Sequence, residues 1–563
     1  MFLSGCVGAF WADLECFWFG YVWVGCVGLF CFGWVLVHWV RFTCLAAGCL
    51  VGVRKLGVES DLVAMASRRG FFWPSAEIHG SVAGFWTIGP LGLRVKQRII
   101  SLWRKYFVED EGAFEIETPD IMPESVFKAS GHLEGFTDPL AQCKSCGKRF
   151  RADHLLEDYY SKRGDPVEGL GSLSVERLGE LVGELGVRCP SCGGSLGKVK
   201  RFVLMYDVDV GATGGVRGYL RPETTQGSVV EMRRVYESMR AKLPLKIAQV
   251  GRSFRNEISP RNVLIRVREF TMAELQVFFD PARECVPDQE FLDGFRLRLL
   301  VDGERDVREF SPLDAVKLGF VPNRLIAYYM AKMQWFFTSV LGFPVERVRF
   351  RELGPEERAH YAEVHFDLEV LTQPYGWVEC VNNAYRTDYD VRRHSEYTGS
   401  SLSVFEDGKH VVPHLYEPSM GIDRTLYCLL LEVFRRDEER SWLALKPWVA
   451  PYDMAVFPLV RRDGLVEKAR EVFRVLRGDG LFVFYDEKGS IGRRYRRMDE
   501  VGTPFCVTVD HLSLEDNTVT VRDRDSMEQV RVGVDQVLGY VRSRGVPPGD
   551  PFSPPVAGLG RGV

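Results

Sequence analysis

The feature that most constrains this chain is the stretch Gly251 to Asp280, GRSFRNEISPRNVLIRVREFTMAELQVFFD. Two apolar, strand-like runs, Pro244 to Phe254 and Val277 to Phe279, enclose a polar segment in which Arg255 and Glu257 come first and Arg266, Arg268, Glu269 and Glu274 follow. Charge is therefore expected where a hairpin turns. Arg255 and Glu257 lie two apart, so on a strand of period two they project from one face. Such a pair can be a cross-strand surface contact or the floor of a polyanion site, and the stretch alone leaves both open.

A chain of 563 residues, 46% hydrophobic and 26% charged, can bury a large core and is expected to form roughly three or four domains. Its net charge of −4 excludes a protein coated in basic residues, so any nucleic-acid contact must come from local patches. Of its fourteen cysteines, Cys6, Cys16, Cys26, Cys31, Cys44 and Cys49 crowd the start and four others form two CxxC pairs. That is no disulfide framework, and it favours a reducing compartment.

The start of the chain does not match the rest. Cys16 to Val40 runs without one Asp, Glu, Lys or Arg, long enough to span a bilayer as a helix. It is too long for the apolar core of a signal peptide and lacks a charged leader. The favoured expectation is an upstream extension of the reading frame, because globular sequence begins only near Val58; a membrane anchor is the alternative. Residues 1–57 are accordingly set apart.

Leu91 to Val108 carries apolar residues at helical spacing with Lys and Arg between them, and Ala113 to Ile121 alternates like a strand with Pro119 at its edge. Helices are expected over Val175 to Leu185, Pro287 to Val301, Asn323 to Val340 and Thr425 to Phe434. Neither a P-loop nor a Rossmann fingerprint is present in the glycine-rich loops. Lys446 to Pro451 reads as a linker to a separate α/β domain, and the Pro-rich tail 546–563 as disordered.

Cys143-Lys-Ser-Cys146 and Cys189-Pro-Ser-Cys192 are the sharpest local signal. Each CxxC is followed by glycine, and together they offer four thiolates for a tetrahedral zinc site. The 42 residues between Cys146 and Cys189 exceed usual ribbon spacing, so a small subdomain, 140–200, is expected. Four sulfurs leave no open position, which makes such a zinc structural.

In order, the strand ending at Pro119, FRNE at Phe254 with Arg266 and Phe270, and Gly421-Ile-Asp-Arg424 resemble the three motifs of class II aminoacyl-tRNA synthetases. Narrower segments, RRGFFWPS from Arg68, RPETTQG from Arg221, GWVEC from Gly376, EPSMGIDR from Glu417 and GSIGRRYRRMDEVGTPF from Gly489, resemble the dimeric archaeal and eukaryotic glycyl-tRNA synthetases. The resemblance runs from about residue 60 to about residue 540. It departs where Asn382 and Asn383 replace glycine and a small or apolar residue, and at Thr225, usually alanine.

The resemblance implies an α+β fold: a class II antiparallel sheet flanked by helices over 58–447, a zinc-knuckle insertion, and a C-terminal α/β anticodon-binding domain over 448–545. It implies glycine–tRNA ligation through a glycyl-adenylate, with ATP, Mg²⁺ and structural Zn²⁺, in a cytoplasmic homodimer that binds glycine and tRNA(Gly), and no membrane unless the N-terminal extension is real. By the same resemblance, Arg255 binds the α-phosphate and substrate carboxylate, a role suited to a bidentate guanidinium. Glu257 contacts the adenine side or orders the loop, Arg266 holds the γ-phosphate, Phe270 stacks on adenine, Arg424 covers its other face, and Glu379 positions Mg²⁺. Glu223, Glu274, Glu417 and Ser419 match ammonium-binding positions, and a carboxylate pocket both attracts the cation and crowds out a Cβ. Arg493, Arg494, Arg496 and Arg497 form the densest basic run of the C-terminal domain and are expected to meet tRNA phosphates. Charging of another small amino acid, a silent tRNA-binding subunit and a membrane-tethered form are the rival readings.

Overall fold

The computed structural model describes residues 57–546 except 166–168, 171–172, 213–214 and 286–287, plus a two-residue strand pairing, Trp18–Phe19 with Val22–Trp23. The chain divides into two units, Met1–Val63 and Ala64–Val563. The first contains that pairing and the opening turns of a helix, Val58–Arg69. The rest of the charge-free run Cys16 to Val40, and the tail from 547, lie outside the described residues. Among the described residues no helix is long and apolar enough to cross a membrane.

The second unit is built around a nine-stranded sheet. In chain order the strands are β1 (Phe114–Glu115), β2 (Leu245–Phe254), β3 (Glu269–Phe279), β4 (Leu297–Leu300), β5 (Arg308–Phe310), β6 (Val348–Glu352), β7 (Val364–Thr372), β8 (Gly376–Thr387) and β9 (His414–Gly421). Across the sheet they run β5-β4-β6-β7-β8-β9-β3-β2-β1, antiparallel except for β1 against β2 and β4 against β6. Side chains of a strand alternate between faces, so the register decides what meets what. Glu274 pairs with Ser419, Ser419 with Asn382, and Asn382 with Asp367. These four residues therefore share one face, the front. A bulge where β7 meets β8 between Leu368 and Glu369 makes Cys380 an extra residue and brings Glu379 onto the face of Asn382, three positions away.

Helices α1 (Pro90–Arg104), α2 (Thr225–Ser238), α3 (Arg324–Trp335), α4 (Tyr389–Thr398) and α5 (Ile422–Val433) cover the sheet. Val229 and Met232 of α2 and Val391 of α4 pack with Leu245, Phe278 and Leu415 on the front. On the back, Lys96 of α1 gives its Nζ hydrogens to Thr271 Oγ1 (2.7 Å) and Asp423 (2.6 Å), and Tyr329 of α3 lies against Tyr416.

Four sequence expectations change. The second hairpin strand begins at Glu269, so Phe270 and Glu274 lie within it, and Arg255 and Glu257 sit past the end of β2 in a long loop. Ala113 to Ile121 is not one strand: Phe114–Glu115 joins the large sheet, whereas Ile121–Pro123 pairs with Val216–Leu220. The intervening backbone is turned aside because Thr118 O and Asp120 O accept hydrogens from Arg221. Pro287 to Val301 is a short helix, Gln289–Gly294, capped by Asp288, followed by β4; Gly294 ends it and the Leu-Arg-Leu-Leu run takes the strand's alternation. Lys446 to Pro451 is no loose linker: Val449 and Ala450 are buried and Trp448 Nε1 donates to Val340 O at 2.9 Å.

The CxxC segment is a subdomain with its own core. Strands Arg149–Arg151, Thr137–Gln142 and Lys200–Val203 form its sheet, and helices Ala152–Ser161 and Val175–Glu184 pack Leu155, Leu156, Leu178 and Val182 around Ala141 and Val199. The C-terminal domain is a five-stranded sheet of β10 (Met454–Pro458), β11 (Val483–Tyr485), β12 (Phe505–Val509), β13 (Thr518–Asp523) and β14 (Gln529–Gly533), ordered β11-β10-β12-β13-β14. Helix α6 (Ile491–Val501) sets Met498 and Val501 against Ala455 and Phe457.

Candidate active site

A cavity of about 500 Å³ opens on the front of the sheet, and the elements around it supply two chemically different ends. The loop from Arg255 to Arg268 forms one wall. There Arg255 Nε donates to Pro222 O at 3.3 Å, and its guanidinium stands 5.3 Å from the ring centroid of Phe270. Glu257 is an organiser of the loop. Its carboxylate accepts from Arg266 Nε at 2.7 Å, and its carbonyl accepts from Arg268 Nε and Nη2 at 3.1 and 2.8 Å.

At the head of α5, Arg424 crosses the opposite wall. Its Nη1 lies 2.6 Å from Glu379 O and 2.9 Å from Glu379 Oε2, and its Nε donates to Ile265 O. Burial raises the Glu379 carboxyl, but Arg424 and Arg255 outweigh it and hold the group below its ordinary range, ionised and facing the cavity. Beside it, burial and then the Glu379 charge push Asp367 up to about 6. Asp367 lies 3.3 Å from His365 Nε2, which also accepts from Asn382 Nδ2 at 2.6 Å. Thus Asn382 belongs to the cavity wall. Asn383 points to the back, where its Oδ1 accepts from Tyr416 OH at 3.1 Å.

The other end is built of carboxylates. Glu223, Glu417 and Ser419 line the cavity; Glu274 does not, being fully buried beneath it. Glu274 Oε2 accepts from Thr224 N (3.0 Å), Thr224 Oγ1 (2.5 Å) and Gln276 Nε2 (3.2 Å), and Oε1 accepts from Ser419 Oγ (2.8 Å). Donors therefore crowd Oε2, while Oε1 holds the one hydrogen of Ser419. Behind Glu417, the fully buried Arg386 holds Glu417 Oε2 at 2.6 Å, Asp390 through two nitrogens, and Glu223 Oε1 at 3.4 Å. Burial pushes the Glu223 carboxyl up, yet His132 and Arg386 bring it well below its ordinary value. His132, His360 and Tyr361 close this end, with Arg386 stacked 3.6 Å over the Tyr361 ring.

His132, His360, Tyr361, Asp367 and Arg386 carry no role in any sequence motif named above. Alternation of acidic residues in VHFDLE over β7 is the one signal that could have found Asp367. The two histidines and Tyr361 come from loops whose destination only the fold decides.

Outside the cavity, the four cysteines converge. Their sulfurs all lie within 4.8 Å of one another, with Cys143 to Cys192 at 3.6 Å and Cys146 to Cys189 at 3.7 Å. A tetrahedral zinc with bonds of about 2.3 Å needs sulfurs about 3.8 Å apart. The basic run of the C-terminal domain is divided by α6. Arg494 is buried and donates to Pro458 O, Leu459 O and Gly489 O, which corrects its expected exposure. It lies one turn before Met498, on the core-facing side. Arg497 pairs with Asp486 and Arg496 with Glu439 at 3.4 Å, while Arg493 is exposed.

Comparison with known proteins bears on the family and the fold. Residues 209–293 match the family "tRNA synthetase class II core domain (G, H, P, S and T)", and residues 453–544 match "Anticodon binding domain". The chain is similar to the glycine–tRNA ligase of Methanocaldococcus jannaschii, 38% identical over 580 residues, covering 86% of this chain and 99% of the relative. It is similar to those of Aeropyrum pernix and Pyrococcus furiosus, each 41% identical, covering 85% and 84% of this chain and 96% of each relative. Among solved structures, prolyl-tRNA synthetase from Cryptosporidium parvum with L-proline and AMP superposes with a TM-score of 0.54 at 12% identity, covering 87% of this chain and 76% of that one. Prolyl-tRNA synthetase from Giardia lamblia with prolyl-adenylate gives 0.54 at 17%, covering 85% and 75%.

Proposed function

The chain belongs to the class II glycine–tRNA ligases, and on that footing we propose that the two-ended cavity is where its reaction takes place. Glycine and ATP give a glycyl-adenylate and pyrophosphate, and the glycyl group then passes to a 3′-terminal hydroxyl of tRNA. The observation that carries the placement is the division of one cavity into a cationic, aromatic end and a carboxylate end, next to each other on the front of the sheet. ATP takes the first and the amino acid's ammonium the second, so the reacting carboxylate and α-phosphate meet between them.

The transition state gathers charge on phosphate oxygens, and fixed cations stabilise it more than a protein nucleophile would. Arg255 serves the α-phosphate and the glycine carboxylate, Phe270 and Arg424 enclose the adenine, and Arg266 reaches the γ-phosphate from its pairing with Glu257. Mg²⁺, when bound, neutralises phosphate charge; Glu379 would hold it, with Asp367 beside it. Glu223 and Glu417 take the ammonium, and Ser419 stands next to them. Glu274 acts through Ser419, Thr224 and Thr225, as a support to the pocket. Amino-acid-dependent ATP/pyrophosphate exchange tests the whole assignment: glycine alone should drive it, and equal exchange with alanine or serine would overturn the pocket.

Zinc at Cys143, Cys146, Cys189 and Cys192 is supported by the sulfur spacing and stays structural. Arg493, with Arg496, meets tRNA phosphates. The catalytic part spans 58–447 with the insertion 140–200, the anticodon-binding domain spans 448–545, and the enzyme works as a cytoplasmic homodimer.

A further inference from the structure

The carboxylate end of the cavity holds more negative charge than the protein neutralises. Glu223, Glu274, Glu417 and Asp390 are all at least nine-tenths buried, and one guanidinium, Arg386, reaches three of them. His132 adds a contact to Glu223 at 3.3 Å. The groups facing Glu417 are Arg386 from β8, Glu274 from β3, Glu223 from the loop before α2, Thr225 from α2 and Tyr361 from the facing loop, with Asp390 of α4 on the far side of Arg386.

Hydrogen counting locates the discrepancy. Thr225 Oγ1 lies 3.1 Å from Glu274 Oε2 and in close contact with Glu417 Oε1. A hydroxyl has one hydrogen, and both contacts are satisfied together only if one carboxyl brings its own. Burial and then the Glu223 charge push the Glu274 carboxyl up as well, but Glu274 already accepts from four other hydrogens, and that donor set favours it as the anion of the pair. The proton therefore sits on Glu417, donated to Thr225, whose own hydrogen goes to Glu274. Burial pushes Glu417 up to about 8 even against Arg386, in keeping with that count.

We infer that Glu417 is protonated in the free enzyme and that the ammonium of glycine displaces this proton, so that binding one amino acid releases one proton to water. The inference rests on the placement of the ammonium between Glu223 and Glu417 proposed above. It makes Glu417 the residue that keeps the buried charge nearly constant before and after binding, and Thr225 the hydroxyl that bridges the protonated Glu417 to the ionised Glu274.

The test is the full-length enzyme, studied two ways. Glycine KM in ATP/pyrophosphate exchange should fall about tenfold per pH unit between about pH 6 and 8 and then level off. Calorimetric titration with a non-hydrolysable glycyl-adenylate analogue, in buffers of different ionisation enthalpy, should report close to one proton released per site near pH 7. Glu417→Gln should raise glycine KM and remove both effects; Thr225→Val, which keeps the volume, should keep the KM dependence but shift its midpoint. A flat KM with no proton release in the wild type overturns the inference. If Glu223→Gln and Glu417→Gln leave glycine KM unchanged, the placement of the ammonium itself fails instead.

Discussion

At the scale of single residues, the cavity separates groups that look alike in sequence. Glu223, Glu274 and Glu417 all sit in motifs that resemble ammonium-binding positions, yet only the first and last face the cavity. Glu274→Gln should therefore act mainly on stability, by about 1–3 kcal/mol, because an amide turns one of its accepting oxygens into a donor aimed at other donors. Denaturant unfolding measures that loss, while Arg255→Ala should leave stability alone and lower kcat of exchange about 10²–10³-fold. The pH effect on folding has a definite sign. Glu417 holds its proton more tightly folded than unfolded, so its contribution is fully present below about pH 4.5 and is lost as pH rises to about 8. Melting of the ligand-free enzyme across that range should show the decline, and saturating glycine should reduce it. The residues of this pocket that belong to recognisable motifs are legible in the sequence. Support and contact are not separable there, because the difference depends on which donors surround each carboxylate, and Thr224 and Thr225 reach Glu274 only once α2 is laid on β3.

Elements show where local pattern is enough and where it is not. The helix α1 is legible from apolar spacing, and the four-cysteine subdomain from two CxxC turns, since both signals are local. The helix α6 is legible only as a basic run: the sequence IGRRYRRMDEV carries few apolar residues, and the burial of Arg494 beside Met498 comes from carbonyls at the end of β10 that no local pattern reveals. Likewise the bulge at Cys380, which sets Glu379 and Asn382 on one face, has no sequence signature. In the four-cysteine subdomain, the proposed zinc would join two turns that are otherwise linked through a small core. Cys189→Ser or a strong chelator should unfold this module while leaving the C-terminal domain intact. Limited proteolysis would then cut between about residues 140 and 200, and adenylate formation is the readout of whether the wall made by the 255–268 loop survives.

For the whole molecule, α1 is one of the members that tie the catalytic sheet to the C-terminal domain, alongside Arg440, which pairs with Asp499 at 3.1 Å. The basic residues between its apolar positions are not all solvent-facing: Lys96 and Arg98 are both buried. Leu91 packs with Ala455 and Phe457, Arg94 lies 3.0 Å over the Phe482 ring, and Arg98 pairs with Asp453 at 2.6 Å, all in the C-terminal domain. Lys96 points the other way, to Thr271 and Asp423. Arg98→Ala would leave Asp453 buried without its partner and should cost about 3–5 kcal/mol, seen as an earlier unfolding transition of the C-terminal domain. Apolar replacement of both Arg98 and Asp453 should recover most of that loss. The helix also fixes a mechanical relation. Asp423 immediately precedes Arg424 and its Oδ2 accepts from Thr271 N, next to Phe270, so Lys96 grips the two residues adjoining the proposed adenine clamp. A pull on the C-terminal domain during tRNA engagement would load α1 as a shaft, and the far bearing of that shaft is the wall of the cavity proposed to take ATP.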